Sequence, residues 1–145
     1  MAFRFALASV LRVRESVEKR EERALQAIQL KFARLEQKAD ATRVAIAGAR
    51  GRREQSLRQR ISGGELHSLL WDEQLAEQAL TLTLTDLHAA EQQRDAQRTI
   101  YQLAQRDREM LSDMCEKQKK IYERERERDE QKKQDDLFIM RRPRV

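Results

Sequence analysis

The chain lacks residues that would interrupt a helix for most of its length. Its single proline is Pro143, and its four glycines stand at positions 48, 51, 63 and 64. Proline and glycine are the strongest breakers of regular structure, so long uninterrupted helices are possible here. With 38% charged and only 5% aromatic residues in 145, a thick globular core is excluded. Such a composition is typical of long helices and coiled coils.

A heptad pattern predicts the first helix. Apolar or small residues recur at alternating steps of three and four, which places them on one stripe facing a partner helix. The stripe comprises Leu25, Ile28, Phe32, Leu35, Ala39, Thr42, Ile46 and Ala49. We expect this helix to run from about residue 7 to residue 61.

The glycine pair Gly63-Gly64 predicts the reversal of the chain, with the hairpin tip at residues 62–64. Beyond it a second stripe predicts a helix over about residues 65–136, followed by a C-terminal docking tail at 137–145. This second stripe comprises Leu82, Ala89, Ala96, Ile100, Leu103, Met110, Met114 and Ile121. The alternating run Leu80–Thr85 resembles a strand locally, but it has no partner strand, so helix is favoured.

Charge favours pairing of the two helices within one chain. Residues 1–60 hold 15 basic and 7 acidic residues, whereas residues 61–145 hold 15 basic and 18 acidic. Helices of opposite net charge prefer each other to copies of themselves. The predicted fold is all-α: a single coiled-coil domain over 1–145, built as a long antiparallel two-helix hairpin. In the predicted register, paired residues have numbers that sum to 127 or 128, such as Val17 with Met110.

The sequence offers no recognisable catalytic, cofactor or metal site. A pair of long helices forms a ridge without a cleft, and catalysis needs converging groups in a cleft. His67 and His88 lack neighbours at metal-ligand spacing, and no phosphate-binding glycine loop is present. No apolar run is long enough to span a bilayer. We therefore expect a non-enzyme with no cofactor and no direct membrane insertion.

The two termini carry apolar residues that the hairpin stripes do not explain. Four consecutive apolar residues, Leu137–Met140, follow a long polar stretch and precede Arg141 and Arg142. They could pack back on Phe3 and Phe5, or they could dock into another protein. The docking interpretation also includes Leu7 and Leu11.

These termini resemble those of the flagellar export protein FliJ family. The similar features are the N-terminal pattern from Phe3 to Glu15, the Ile61–Gly64 midpoint, and Asp135–Phe138 before the arginines. The resemblance covers the whole chain. It implies an antiparallel coiled coil like the central stalk of rotary ATPases.

The same resemblance implies partners and a location. They are the hexameric secretion ATPase, the cytoplasmic domain of the export gate, and export chaperones, at the cytoplasmic face of the inner membrane. The residues that would enter the ATPase ring are Phe3, Phe5, Leu7, Leu11, Arg12, Arg14, Leu137, Phe138, Ile139, Met140, Arg141 and Arg142. Ile46 and Leu80 would contact the gate.

Three alternatives remain open at the level of sequence. The matching YscO-like stalk proteins of virulence-type secretion systems share the predicted hairpin. A generic coiled-coil scaffold would explain the heptads equally well. A nucleic-acid-binding coiled coil would explain the basic residues Arg50, Arg52, Arg53, Arg58 and Arg60. No aromatic residues alternate with these arginines, so we expect no nucleic-acid partner.

Overall fold

The computed structural model describes residues 2–143 and consists of two long helices that pack against each other. Helix α1 spans Ala8–Leu57, and helix α2 spans Gly63–Met140. No strand occurs among residues 2–143. The predicted all-α coiled-coil hairpin is confirmed. Met1, Arg144 and Val145, the ends of the predicted domain and its tail, lie outside the described residues.

The chain divides into two compact units, each containing part of both helices. The terminal unit comprises Met1–Glu21 and Tyr101–Val145, and the central unit comprises Glu22–Ile100. In the part of the chain that the structure describes, neither helix has a stretch apolar enough to cross a membrane.

The predicted stripe of α1 faces the partner helix in the central unit. Leu25, Ala39 and Ile46 are buried, and the other predicted positions are half-buried. Each apolar side chain removed from water contributes about 25 cal/mol per Å² of apolar surface, so this row is the main apolar contribution of α1.

The predicted stripe of α2 is wrong by one residue. The row that faces α1 contains Thr83 and Ala90 in the central unit and Ala104 in the terminal unit. All eight predicted residues, among them Leu82 at 69% exposure, are exposed instead. Polar residues such as Glu73 and Arg94 occupy the true row, so a search for apolar residues selects the row beside it.

Contacts in which both residues are buried or half-buried define the register of the two helices. The pairs Phe32–Arg94 and Arg53–Glu73 of the central unit and Glu18–Arg108 of the terminal unit each have numbers that sum to 126. The predicted sum of 127 to 128 is therefore too high. The pairs predicted with the higher sum, such as the pair of Val17 and Met110, are therefore displaced by one residue or more.

The threonine-rich run Leu80–Thr85 is helical, as expected from its context. The hydroxyls of Thr81, Thr83 and Thr85 each donate to the carbonyl four residues earlier, over 2.9 to 3.0 Å. This bond satisfies a hydroxyl inside a helix. It matters most at Thr83, which is 2% exposed.

Residues 58–62 reverse the chain, and a capping box starts α2. The Glu65 backbone N–H donates to Ser62 Oγ over 3.1 Å, and the Ser62 N–H donates to the Glu65 carboxylate over 3.4 Å. These reciprocal bonds satisfy backbone donors that a helix start leaves unpaired. Gly63 and Gly64 thus form the first turn of α2, and no glycine among residues 2–143 has a positive φ.

Gly51 offers a direct test of local helix stability. It lies exposed within α1, and a Cβ atom added there would meet nothing within 4 Å. Replacing Gly51 with alanine should raise the free energy of unfolding by about 0.5 to 1 kcal/mol, because alanine loses less backbone entropy in a helix. Thermal denaturation measures this gain. The reverse change Ala47→Gly, at an exposed position of the same helix, should lower stability by a similar amount, and a loss at Gly51→Ala would contradict the assigned helix.

The one-residue shift in α2 predicts different costs for two leucines. Leu87 is half-buried on the row facing α1, whereas Leu82 lies outside that row. Urea denaturation of Leu87→Ala should show a loss of about 1 to 2 kcal/mol, since apolar contacts disappear. Leu82→Ala should change stability by less than about 0.5 kcal/mol, as surface substitutions usually do. A larger loss of stability at Leu82 would instead support the stripe predicted from the sequence.

Candidate functional site

In the terminal unit, α2 continues well past Tyr122, which contacts the N-terminal segment. The Phe3 and Tyr122 rings lie 5.6 Å apart between centroids. Every residue from 123 to 143 is exposed, and α2 stays helical to Met140. Residues 123–143 are called the extension below.

Half of the N-terminal part of the predicted docking set is packed. Phe5 is buried at 9% exposure, and Phe3 and Leu11 are half-buried. Leu7 is exposed, as is Arg12. The Arg14 guanidinium donates to the Asp107 carboxylate of α2 over 3.3 Å.

The C-terminal part of the predicted docking set is exposed to solvent. Leu137, Phe138, Ile139 and Met140 are 55% to 80% exposed. Arg141 and Arg142 follow them and are exposed too. The Arg142 guanidinium carbon stands 6.0 Å from the centroid of the Phe138 ring. These six residues form the C-terminal patch.

The structure does not bring the two parts of the predicted docking set together. Phe3 contacts Tyr122, and Leu137 lies 15 residues further along α2. At 1.5 Å per residue, this is about 22 Å of helix. The interpretation in which Leu137–Met140 packs back on Phe3 and Phe5 is therefore wrong, and the termini present two separate surfaces.

A charged pair joins the helices of the terminal unit. Arg108 donates to both carboxylate oxygens of Glu18, over 2.6 and 3.2 Å. The hydrogen bonds to Glu18 raise the pKa of Arg108 above its ordinary value. A two-point arginine–carboxylate pair has a defined geometry, and it fixes which residues face each other.

In the central unit, the two residues expected at the export gate are neighbours. Ile46 and Leu80 line one shallow groove with Arg43, Ala47, Arg50 and Glu77. Ile46 is only 6% exposed and Leu80 is half-buried. Their side chains therefore pack mainly within the hairpin.

Comparison with known proteins identifies the family. The family described as Flagellar FliJ protein matches residues 3–144, nearly the whole chain. The chain belongs to the FliJ family. Searches of curated proteins and of solved structures gave no match. Membership gives the chain a role in flagellar biogenesis and protein export, as part of the export apparatus.

No metal-binding cluster occurs in this FliJ chain over residues 2–143. His, Cys, Asp and Glu side chains do not gather there in groups of three that could hold an ion.

A buried carboxylate organises the tip-proximal end of the FliJ hairpin. Glu73 is buried and accepts hydrogen bonds from Arg50 Nε over 3.0 Å and from Arg53 Nη1 over 2.5 Å. Arg50 also donates to Glu77 over 2.9 Å. The bonds to Glu77 and then Glu73 raise the pKa of Arg50. We call these four residues the tip clamp.

Sequence analysis did not single out Trp71, which is 53% exposed beside Gly64, His67 and Ser68. It is the only tryptophan of the chain. An exposed tryptophan near a hairpin tip is a common anchor for protein partners. Its being the single tryptophan of the sequence was the available signal.

The tip clamp predicts unequal effects for its two glutamates. Glu73→Ala should lower the free energy of unfolding by about 1 to 3 kcal/mol, because Arg50 and Arg53 lose a buried partner. Glu77→Ala, at an exposed position, should cost less than about 0.5 kcal/mol. Chemical denaturation of both variants measures the difference. Equal, small losses would show that the clamp does not stabilise the tip.

Proposed function

We propose that this chain is a non-enzymatic stalk of the flagellar export apparatus that binds and stimulates the export ATPase ring. The C-terminal patch, at the end of the unaccompanied extension, is the observation that carries the proposal. Family membership supports an export role, and the patch suggests how it would be performed.

The patch exposes apolar side chains around most of the helix. Successive residues turn by about 100°, so Leu137 to Met140 span about 300° of the circumference. All four are more than half exposed. A flat partner surface could cover only one side of such a helix. A partner that encloses it, such as the central opening of a ring, would remove all four side chains from water.

The flanking charges suit an acidic lining in that opening. Arg141 and Arg142 directly follow the apolar residues and are exposed. Arginine forms well-oriented bonds with carboxylates. An ATPase ring whose inner loops carry acidic residues would hold the patch in a defined orientation.

A bound stalk can change the rate of ATP hydrolysis without a catalytic group of its own. A ligand shifts a conformational equilibrium only by its difference in affinity for the two states. The patch would stimulate turnover by binding some subunit conformations of the ring better than others.

Contacts of the central unit would connect the ATPase to the rest of the apparatus. The groove at Ile46 and Leu80 and the exposed Trp71 are the surfaces proposed for the export gate, with export chaperones as further partners. Such contacts would hold the protein at the cytoplasmic face of the inner membrane.

The nucleic-acid alternative loses support in the structure. Two of the five arginines in the basic run, Arg50 and Arg53, are engaged with glutamates of α2. A phosphate-binding surface requires basic groups that face outward on one side.

ATPase measurements with a pair of matched double variants test the proposal. Phe138→Ser with Ile139→Ser should reduce stimulation of the purified cognate export ATPase by at least tenfold, because the apolar collar contacts disappear. Gln131→Ser with Gln134→Ser changes exposed residues of the same extension and should leave stimulation within about twofold. Circular dichroism would check that both variants keep the helix.

Two outcomes would overturn the stalk function. One is an ATPase rate that is identical with and without the intact chain, over concentrations at which the ring forms. The other is full stimulation by the Phe138 and Ile139 variant. Either result would favour the scaffold alternative.

A further inference from the structure

The terminal unit carries an exposed apolar surface apart from the C-terminal patch. Four of its residues belong to the stripe of α2 that the sequence predicted at the contact between helices: Leu103, Met110, Met114 and Ile121. They are exposed, and so are Val10 and Val13 of α1. With half-buried Val17, these residues are called the apolar flank.

The register places the two halves of this surface on the same side of the hairpin. Val10 and Val17 immediately precede the inward-facing residues Leu11 and Glu18. Met114 and Ile121 likewise immediately precede Cys115 and Tyr122 on α2, which are half-buried. In an antiparallel pair, the positions just before the contact rows of the two helices lie on one side.

The opposite side of the terminal unit is highly charged. Five charged residues immediately follow the contact rows there: Arg12, Lys19, Glu109, Glu116 and Glu123. The contrast shows that the apolar flank is a one-sided feature. Scattered apolar residues on a surface are ordinary, but apolar residues gathered on one side indicate an interaction site.

The dimensions of the flank fit a helix. Leu103 and Ile121 are separated by 18 residues of α2, which is about 27 Å or five turns. The flank therefore offers a third helix the same kind of apolar row that α1 and α2 offer each other.

The charges along the edge of the flank indicate which helix would bind. Exposed Arg106 and Lys120 border its α2 side, and exposed Lys117 and Arg124 lie in line with Leu103 and Met110, against a single exposed Asp113. Asp107, which also lies there, is already paired with Arg14. A basic border favours acidic partners and opposes a second copy of this chain, whose own border is basic.

We propose that the apolar flank binds an amphipathic helix of another protein, one with an apolar stripe bordered by acidic residues. The bound helix would complete a three-helix bundle with the terminal unit. This site goes beyond the proposed ATPase stimulation and uses none of the residues of the C-terminal patch.

Binding of designed peptides to the full chain tests this proposal. The probe is a synthetic helical peptide of about 21 residues, or three heptads, with leucine on one stripe and glutamate on both borders. A second peptide carries lysine in place of each border glutamate. Fluorescence anisotropy should show saturable binding of the glutamate peptide and at least tenfold weaker binding of the lysine peptide.

Two double variants of the chain connect binding to the flank. Met110→Gln with Met114→Gln should weaken binding of the glutamate peptide at least tenfold. Glu109→Gln with Glu116→Gln, on the opposite side of the same turns, should leave it unchanged or slightly tighter, because the chain becomes more basic. These binding assays contain no ATPase, so their outcome is independent of the proposed stimulation.

Three results would contradict the proposal. The glutamate peptide could bind the Met110 and Met114 variant as well as the original chain, or both peptides could bind equally. In the third, sedimentation equilibrium would show a dimer that the Met110 and Met114 variant abolishes, which would make a second copy the occupant.

Discussion

Charged pairs set between the two helices determine the register on which the other surfaces depend. Arg53 and Arg50 hold Glu73 in the central unit, and Arg108 holds Glu18 in the terminal unit. An apolar contact between helices tolerates a shift along or around the axis, whereas a buried carboxylate must meet its guanidinium. With these pairs in place, one row of α2 is buried and its neighbour is exposed.

The same distinction between apolar and charged contacts explains how much of the structure could be predicted from the sequence. The absence of helix breakers and the heptads of α1, from Leu25 to Ala49, were sufficient to predict the fold and one contact row. The row of α2 was missed because Thr83, Glu73 and Arg108 stand there while Leu82 and Met110 lie beside it. The value of these polar residues depends on partners far away in sequence, which single-sequence periodicity cannot reveal.

For the termini as well, the sequence revealed the composition but not the geometry. Their apolar character was visible in the sequence, and so was the arginine pair that follows Met140. Their separation depends on where pairing stops, near Phe3 and Tyr122. The extension beyond that point separates the C-terminal patch from the paired part of the helices. The same register leaves the apolar flank exposed. A single alignment of two helices thus leaves two separate apolar surfaces, each beside basic residues.

Hydrogen–deuterium exchange on the full chain, alone and with the purified export ATPase, tests most directly whether the extension is the part that the ring takes up. A single helix of this length is only marginally stable in water. Amides of residues 123–140 should therefore exchange fast in the free protein, and faster than those of residues 101–115. Adding the ATPase under ring-forming conditions should slow exchange in 123–140 by at least tenfold. Unchanged exchange there, with the ATPase demonstrably bound, would contradict the proposed docking.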